Sequence, residues 1–173
     1  PAPRIGFAGQ SDRNDAELTD AILQVGDWNV HLPQDGQPGT AYKGPALLPF
    51  TTYGVRLTVT DNTGAAAEAE TTFETGRMET PWRGQWISDP AFTFTEAKVS
   101  PVPMVFRKTI ETAKPIARAR LYATAMVIYE VELNGQKLGQ QYFAPGFTSY
   151  KSYLQYQTYD VTKLLTGYDT LTA

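Results

Sequence analysis

The stretch Thr52-Tyr53-Gly54-Val55-Arg56-Leu57-Thr58-Val59-Thr60, followed by Asp61-Asn62-Thr63-Gly64 and by Ala66–Glu74, decides the fold class. Tyr53, Val55, Leu57 and Val59 lie on one side of an extended chain, and Gly54, Arg56, Thr58 and Thr60 on the other. Period-2 alternation of this kind marks a strand that buries one face and wets the other, as in antiparallel sandwiches. Asp61-Asn62-Thr63-Gly64 reads as a hairpin turn, since Asn and Gly tolerate positive φ. The return strand is expected to place Ala67, Ala69, Thr71 and Phe73 inward, with Glu68, Glu70 and Glu74 in water.

Upstream, Leu18–Val25 offers Ala21, Leu23 and Val25 as an inner face, and Pro33–Pro49 is rich in Gly and Pro. Several short strands in so few residues predict a small sandwich of the fibronectin type III kind over residues 1–77. The polar stretch after Thr75 reads as a junction, with Trp82 and Trp86 partly buried beside it.

A second unit, residues 82–173, shows the same alternation. Met104–Ile110, Ala117–Thr124, Ile128–Leu133 and Tyr153–Tyr159 read as strands, and Asn134-Gly135 is a strong short hairpin signal. Asp160-Val161-Thr162-Lys163-Leu164-Leu165 predicts one helical turn with Asp160 as N-cap and Gly167 as the residue ending it. Tyr168–Ala173 reads as a strand without continuation. The second sandwich is therefore expected to be C-terminally incomplete, with an open sheet edge beside Ile128–Leu133 or Tyr153–Tyr159. The fold class is all-β throughout.

Composition narrows the chemistry. Aromatic residues make up 12% of the 173, which favours strands. A net charge of −3 without a basic patch argues against nucleic acid or anionic membrane as partner. No apolar run approaches the roughly 18 residues of a membrane span. Without cysteine there is no disulfide, thiolate metal site or Cys nucleophile. That absence fits cytoplasm, periplasm and secretion alike. The single His31 cannot form a His-based metal cluster. Nucleotide-binding and Ser-hydrolase motifs are absent.

Two ordered series of residues carry a family resemblance. The first is Lys43-Gly44-Pro45-Ala46-Leu47, Thr51-Thr52-Tyr53, Thr58-Val59-Thr60-Asp61, Gly64 and Thr72-Phe73-Glu74-Thr75-Gly76, then Trp82 and Trp86-Ile87. The second is Ala119-Arg120-Leu121-Tyr122, Tyr129-Glu130, Leu133-Asn134-Gly135, Leu138-Gly139, Pro145-Gly146-Phe147-Thr148 and Tyr156-Gln157-Thr158-Tyr159-Asp160-Val161-Thr162. Together they resemble the N-terminal region of bacterial α-L-rhamnosidases, inverting glycosidases that remove terminal rhamnose. The resemblance implies a fibronectin-like domain followed by a jelly-roll β-sandwich. It also implies a catalytic α/α-toroid elsewhere in the parent chain as partner. The chain departs from the family pattern at Phe147, where Trp is usual, and at Asp169, where Gly-x-Asn is usual. The Gly-rich, Trp-containing segment expected after Leu171 is also missing.

No catalytic residue is expected in the chain. Glu130 and Glu132 lie about 7 Å apart along a strand, near the spacing of an inverting acid–base pair. Nothing in the sequence predicts a pocket around them, and solvation of an outer face accounts for both. The stretch Tyr142–Tyr159 is rich in tyrosine, and exposed rings stack on the apolar face of sugars. By resemblance the candidate carbohydrate contacts are Asn134, Gly146, Phe147 and Tyr150, with rhamnose-containing glycans as ligand. In some family members this sandwich uses calcium, so calcium is the one candidate cofactor, and no metal-ligating residue is named. Tyrosines at period two are more often cross-strand packing pairs. Two rival readings have other origins: a free-standing carbohydrate-binding or adhesion module, and an accessory sandwich of another glycosidase family.

Overall fold

The computed structural model describes residues 2–33, 39–90 and 103–173. Every regular element among them is a strand. The chain divides into two units, Pro1–Arg83 and Gly84–Ala173.

In the first unit, β1 (Arg4–Ile5) pairs with β4 (Thr40–Ala41). The other four strands are β2 (Leu18–Val25), β3 (Trp28–His31), β5 (Thr52–Asp61) and β6 (Ala66–Glu74). They form one antiparallel sheet in the order β3-β2-β5-β6. Register sets Leu23 opposite Leu57 and Val25 opposite Val55, so the inward positions of two long strands coincide. Ala21, Leu23, Val25, Leu32, Tyr42 and Val55 are the buried core. Gly44 explains part of the Lys43–Leu47 motif: a Cβ there would lie 2.4 Å from the Tyr42 hydroxyl and 2.8 Å from Trp28 Cβ. Tyr42 in turn donates to the Pro45 carbonyl (3.0 Å) and meets the Trp28 ring edge-on.

Two expectations need correction here. Ala67, Ala69 and Thr71 of β6 are exposed, and only Phe73 is half-buried, stacked on Tyr53. An edge strand of small side chains has little to bury once the opposing pair, β1 and β4, is only two residues long. The strand β3 is also an addition to the sequence reading. It returns from β2 through Gly26, whose φ is 56°. Residues 34–38 of the expected loop lie outside the described residues. Trp82 is 45% exposed beneath the Arg77 guanidinium, 4.6 Å from its ring centre, and Trp86 is 61% exposed.

The second unit contains β7 (Arg107–Glu111), β8 (Arg120–Ala123), β9 (Glu132–Leu133), β10 (Gln136–Lys137), β11 (Gln157–Asp160) and β12 (Tyr168–Thr172). One sheet has the order β10-β9-β12-β7; β8 and β11 form a second. Val131, Leu133, Leu138 and Val161 are buried, with Leu121, Tyr159, Leu164 and Leu171 against them. The β9–β10 turn is Asn134-Gly135, with φ of 53° and 76°, the two positive values a tight two-residue hairpin requires.

The last strand, β12, has ladder partners on both sides: β7 along its whole length and β9 at Leu171–Thr172. Asp160–Leu165 keeps the expected cap, with Thr162 N donating to Asp160 Oδ1 (3.0 Å), and closes as a single turn through Leu164 N to Val161 O (3.0 Å). Asp160 is also paired with Arg120 at 2.8 Å.

Candidate functional site

The loop 142–156 is the densest exposed aromatic segment of the second unit, and its backbone is held firmly. Tyr129 N donates to Ala144 O (2.8 Å), Gln157 Nε2 to Pro145 O (3.1 Å), and the buried Thr148 Oγ1 to Tyr153 O (2.9 Å). Ala144 and Thr148 are buried, yet Phe147 between them is 93% exposed. A ring projecting from an anchored backbone is already ordered before it meets a ligand. Its edge faces Tyr150, with centroids 5.7 Å apart. Gly146 has φ 108°, and a Cβ there would lie 2.6 Å from Gln155 Oε1. This position therefore favours glycine for its backbone, and the Gln155 amide lies against it. Gly146, Phe147 and Tyr150 thus share one loop.

Asn134 sits on another segment, where its backbone N–H and its side-chain amide are engaged. Its backbone N donates to Thr170 O (2.8 Å) and its Oδ1 accepts from Thr170 N (2.8 Å). Its Nδ2 donates to Leu164 O (3.1 Å) and to Asp169 Oδ1 (2.8 Å). Asp169 has no exposed surface. It also accepts from Thr166 N (2.8 Å), Thr166 Oγ1 (2.9 Å) and Gly167 N (3.1 Å). The hydrogen bond from Asn134 leads the causes that hold the Asp169 carboxyl below its ordinary value; the Thr166 and Gly167 donors add to it against the opposing effect of burial. This clasp pins the β9–β10 turn to the turn before β12.

The two tempting carboxylates differ in setting. Glu130 is exposed and bonded to Lys137 Nζ at 2.6 Å, and that hydrogen bond raises the Lys137 pKa. Glu132 lies within β9, opposite Lys137 on one side and Thr172 on the other. Below them, Tyr129 and Tyr159 bring their hydroxyls within 3.1 Å. Burial and that contact push the Tyr129 phenol above its ordinary value. In the first unit, His31 Nδ1 meets Asp20 at 2.9 Å with both side chains exposed. Among the described residues, no group of three or more His, Cys, Asp or Glu side chains is placed to hold a metal ion.

Sequence reasoning did not single out Asp169 as a structural centre, nor Phe143, whose φ is 57° and whose side chain is 73% exposed. For Asp169 the signal was parity: it shares the inward face of β12 with Leu171, where a lone carboxylate needs partners. For Phe143 no local signal marks the left-handed backbone.

The fold and these contacts define an all-β segment. Residues 114–172 match the alpha-L-rhamnosidase N-terminal domain. An alpha-L-rhamnosidase of Streptomyces avermitilis is 57% identical over 49 residues, 28% of this chain and 5% of that protein. One from Formosa agariphila is 33% identical over 98 residues, 54% of this chain and 11% of that protein. The solved alpha-L-rhamnosidase of Aspergillus terreus superposes with a TM-score of 0.77 at 26% identity, covering 98% of this chain and 21% of that one. The rhamnosidase of Dictyoglumus thermophilum gives 0.80 at 23% identity over 96% of this chain and 22% of its own, a likeness of fold. These findings match the chain to an N-terminal region of an α-L-rhamnosidase. The chain spans about a tenth or less of the curated relatives it matches.

Proposed function

We propose that the chain is a non-catalytic accessory region of an α-L-rhamnosidase-like glycosidase that removes terminal α-L-rhamnose from glycosides or polysaccharides. Residues 1–77 serve as a fibronectin type III-like sandwich and residues 82–173 as a jelly-roll sandwich. The catalytic α/α-toroid lies in the remainder of the parent chain. The observation that carries this reading is the match of residues 114–172 to the rhamnosidase N-terminal domain, within which the candidate acid Glu130 is tied to Lys137. An inverting mechanism needs two carboxyl groups facing each other across a bond and a water. The test is turnover of an aryl α-L-rhamnoside. The parent protein should release the aryl group, and residues 1–173 should release none at any practical concentration. Turnover by residues 1–173 would overturn the reading.

A second role rests on the anchored, projecting Phe147. With Tyr150 at its edge and the Gln155 amide against Gly146, it offers a ring for a sugar's C–H face and a nearby polar group for a hydroxyl. Asn134 contributes by fixing its own turn, its side-chain groups being taken up internally. Calorimetry with L-rhamnose on the parent, with and without calcium, should show a component of the heat that Phe147→Ala removes. Equal heats from the two proteins, or none from either, would remove Phe147 as a contact.

A further inference from the structure

Six exposed apolar side chains of the second unit lie on the loops that follow β8 and precede β11. Met126, Val127, Ile128, Tyr142 and Phe143 are each more than half exposed, and Tyr156 is 37% exposed. Hydrogen bonds place these loops side by side. Thr124 Oγ1 donates to Gln155 O (2.6 Å), and Tyr129 pairs with Ala144 through an isolated bridge. The 125–128 segment is thus fastened at one end next to Tyr156 and at the other next to Phe143. At roughly 200 Å² for a whole aromatic side chain, and less for Met, Val and Ile, the six expose on the order of 600 Å² in sum. The largest apolar patch on an ordinary monomer is about 300–600 Å², and one side of a stable protein interface is about 800 Å².

We propose that this surface docks a segment of the parent glycosidase lying outside residues 1–173, a proposal that rests on the accessory reading above. Three arguments select that occupant. Met126, Val127 and Ile128 carry no hydrogen-bonding side chain, whereas a sugar site needs polar groups converging on the ligand. Phe143 is held in the left-handed region at φ 57° with its ring in solvent, a conformation that costs free energy and persists where function rewards it. The area fits a protein partner, and relatives of this chain carry most of their length elsewhere: it covers 22% of one solved rhamnosidase and 11% of a curated one. Phe147 lies outside this set and remains available to ligand.

The experiment is covalent footprinting of the full-length parent, native against denatured, with residue-level readout. Native Met126, Ile128, Tyr142 and Phe143 should label roughly fivefold or more slowly than in the denatured chain, as interface-core residues do, while Phe147 labels freely. Labelling of the patch at nearly the denatured rate would overturn the proposal. So would protection that fades on dilution, which identifies a second copy, or protection that appears only with L-rhamnose, which identifies a sugar site. An aryl-rhamnoside assay on the same sample separates the two readings. A protected patch on a protein without rhamnosidase activity keeps the docking surface and removes the function. An active enzyme with a labelled patch does the reverse.

Discussion

Two aspartates of this molecule organise turns in different settings. Asp61 in the first unit gathers the donors of its own hairpin and one guanidinium from outside it. Its Oδ1 accepts from Thr63 N (2.8 Å), Thr63 Oγ1 (2.6 Å) and Ala65 N (3.0 Å), and Arg13 pairs with Oδ2 at 3.0 Å. Asp169 in the second unit accepts from its own turn and from Asn134, thirty-five residues earlier. The chemistry is the same: a carboxylate collects backbone and hydroxyl donors, which lower its pKa in both cases. The setting is not. Asp61 remains partly in water, whereas Asp169 is fully buried with a side-chain amide as its long-range partner. A local turn carboxylate shapes one hairpin; a buried one joins two strands of a sheet.

The comparison breaks first at Asp169. Asp169→Ala should lower the melting temperature of the second unit by roughly 10 °C or more, because several buried donors lose their acceptor together. Melting followed through the Thr166 and Gly167 amide resonances checks this, and a shift within error would show that the clasp carries no stability. Asn134→Ala should cost somewhat less, about 2 kcal/mol, from the lost hydrogen bonds and the left-handed turn position. Denaturant unfolding followed by the Thr170 amide would measure it. Asp61→Ala should lower the first unit's melting by only a few degrees, since water replaces the lost acceptor. Phe147→Ala, fully outside this framework, should leave stability within about 0.5 kcal/mol of wild type.

Acid sharpens the same contrast. The folded-state pKa of Asp169 lies below its reference value of 3.8. Its contribution is therefore complete at neutral pH and is lost as pH falls below 3.8 towards the folded value. Asp61 and Asp160 act in the same direction. Asp169→Asn should flatten the acid-induced loss of second-unit stability, and an unchanged pH profile would place the acid sensitivity elsewhere.

Contiguity in sequence also explains what the sequence made legible. Asp61-Asn62-Thr63-Gly64 is contiguous, so the turn, the strands Thr52–Asp61 and Ala66–Glu74 and the buried row Ala21, Leu23, Val25 could be read directly. Asn134-Gly135 was legible as a hairpin for the same local reason. That Asn134 also bonds Leu164, Asp169 and Thr170 depends on how β12 crosses between β7 and β9, and no local pattern encodes that crossing. The exposure of Ala67, Ala69 and Thr71 was invisible for a related reason: alternation gives the face of a strand but not what lies opposite it. In the candidate site, Gly146, Phe147 and Tyr150 fell together because they are neighbours in sequence. The apolar surface at Met126–Ile128 and Phe143 emerged only from the bridge between Tyr129 and Ala144.

The central claim is that catalysis lies outside these residues. The direct measurement is kcat for an aryl α-L-rhamnoside by the parent protein carrying both Glu130→Gln and Glu132→Gln. The account predicts a kcat within about twofold of wild type, since neither group touches the reacting atoms, whereas a general acid or base contributes roughly 10²–10⁴-fold. A loss of that size, with substrate binding and folding intact, would place the acid–base chemistry within this chain and contradict the account.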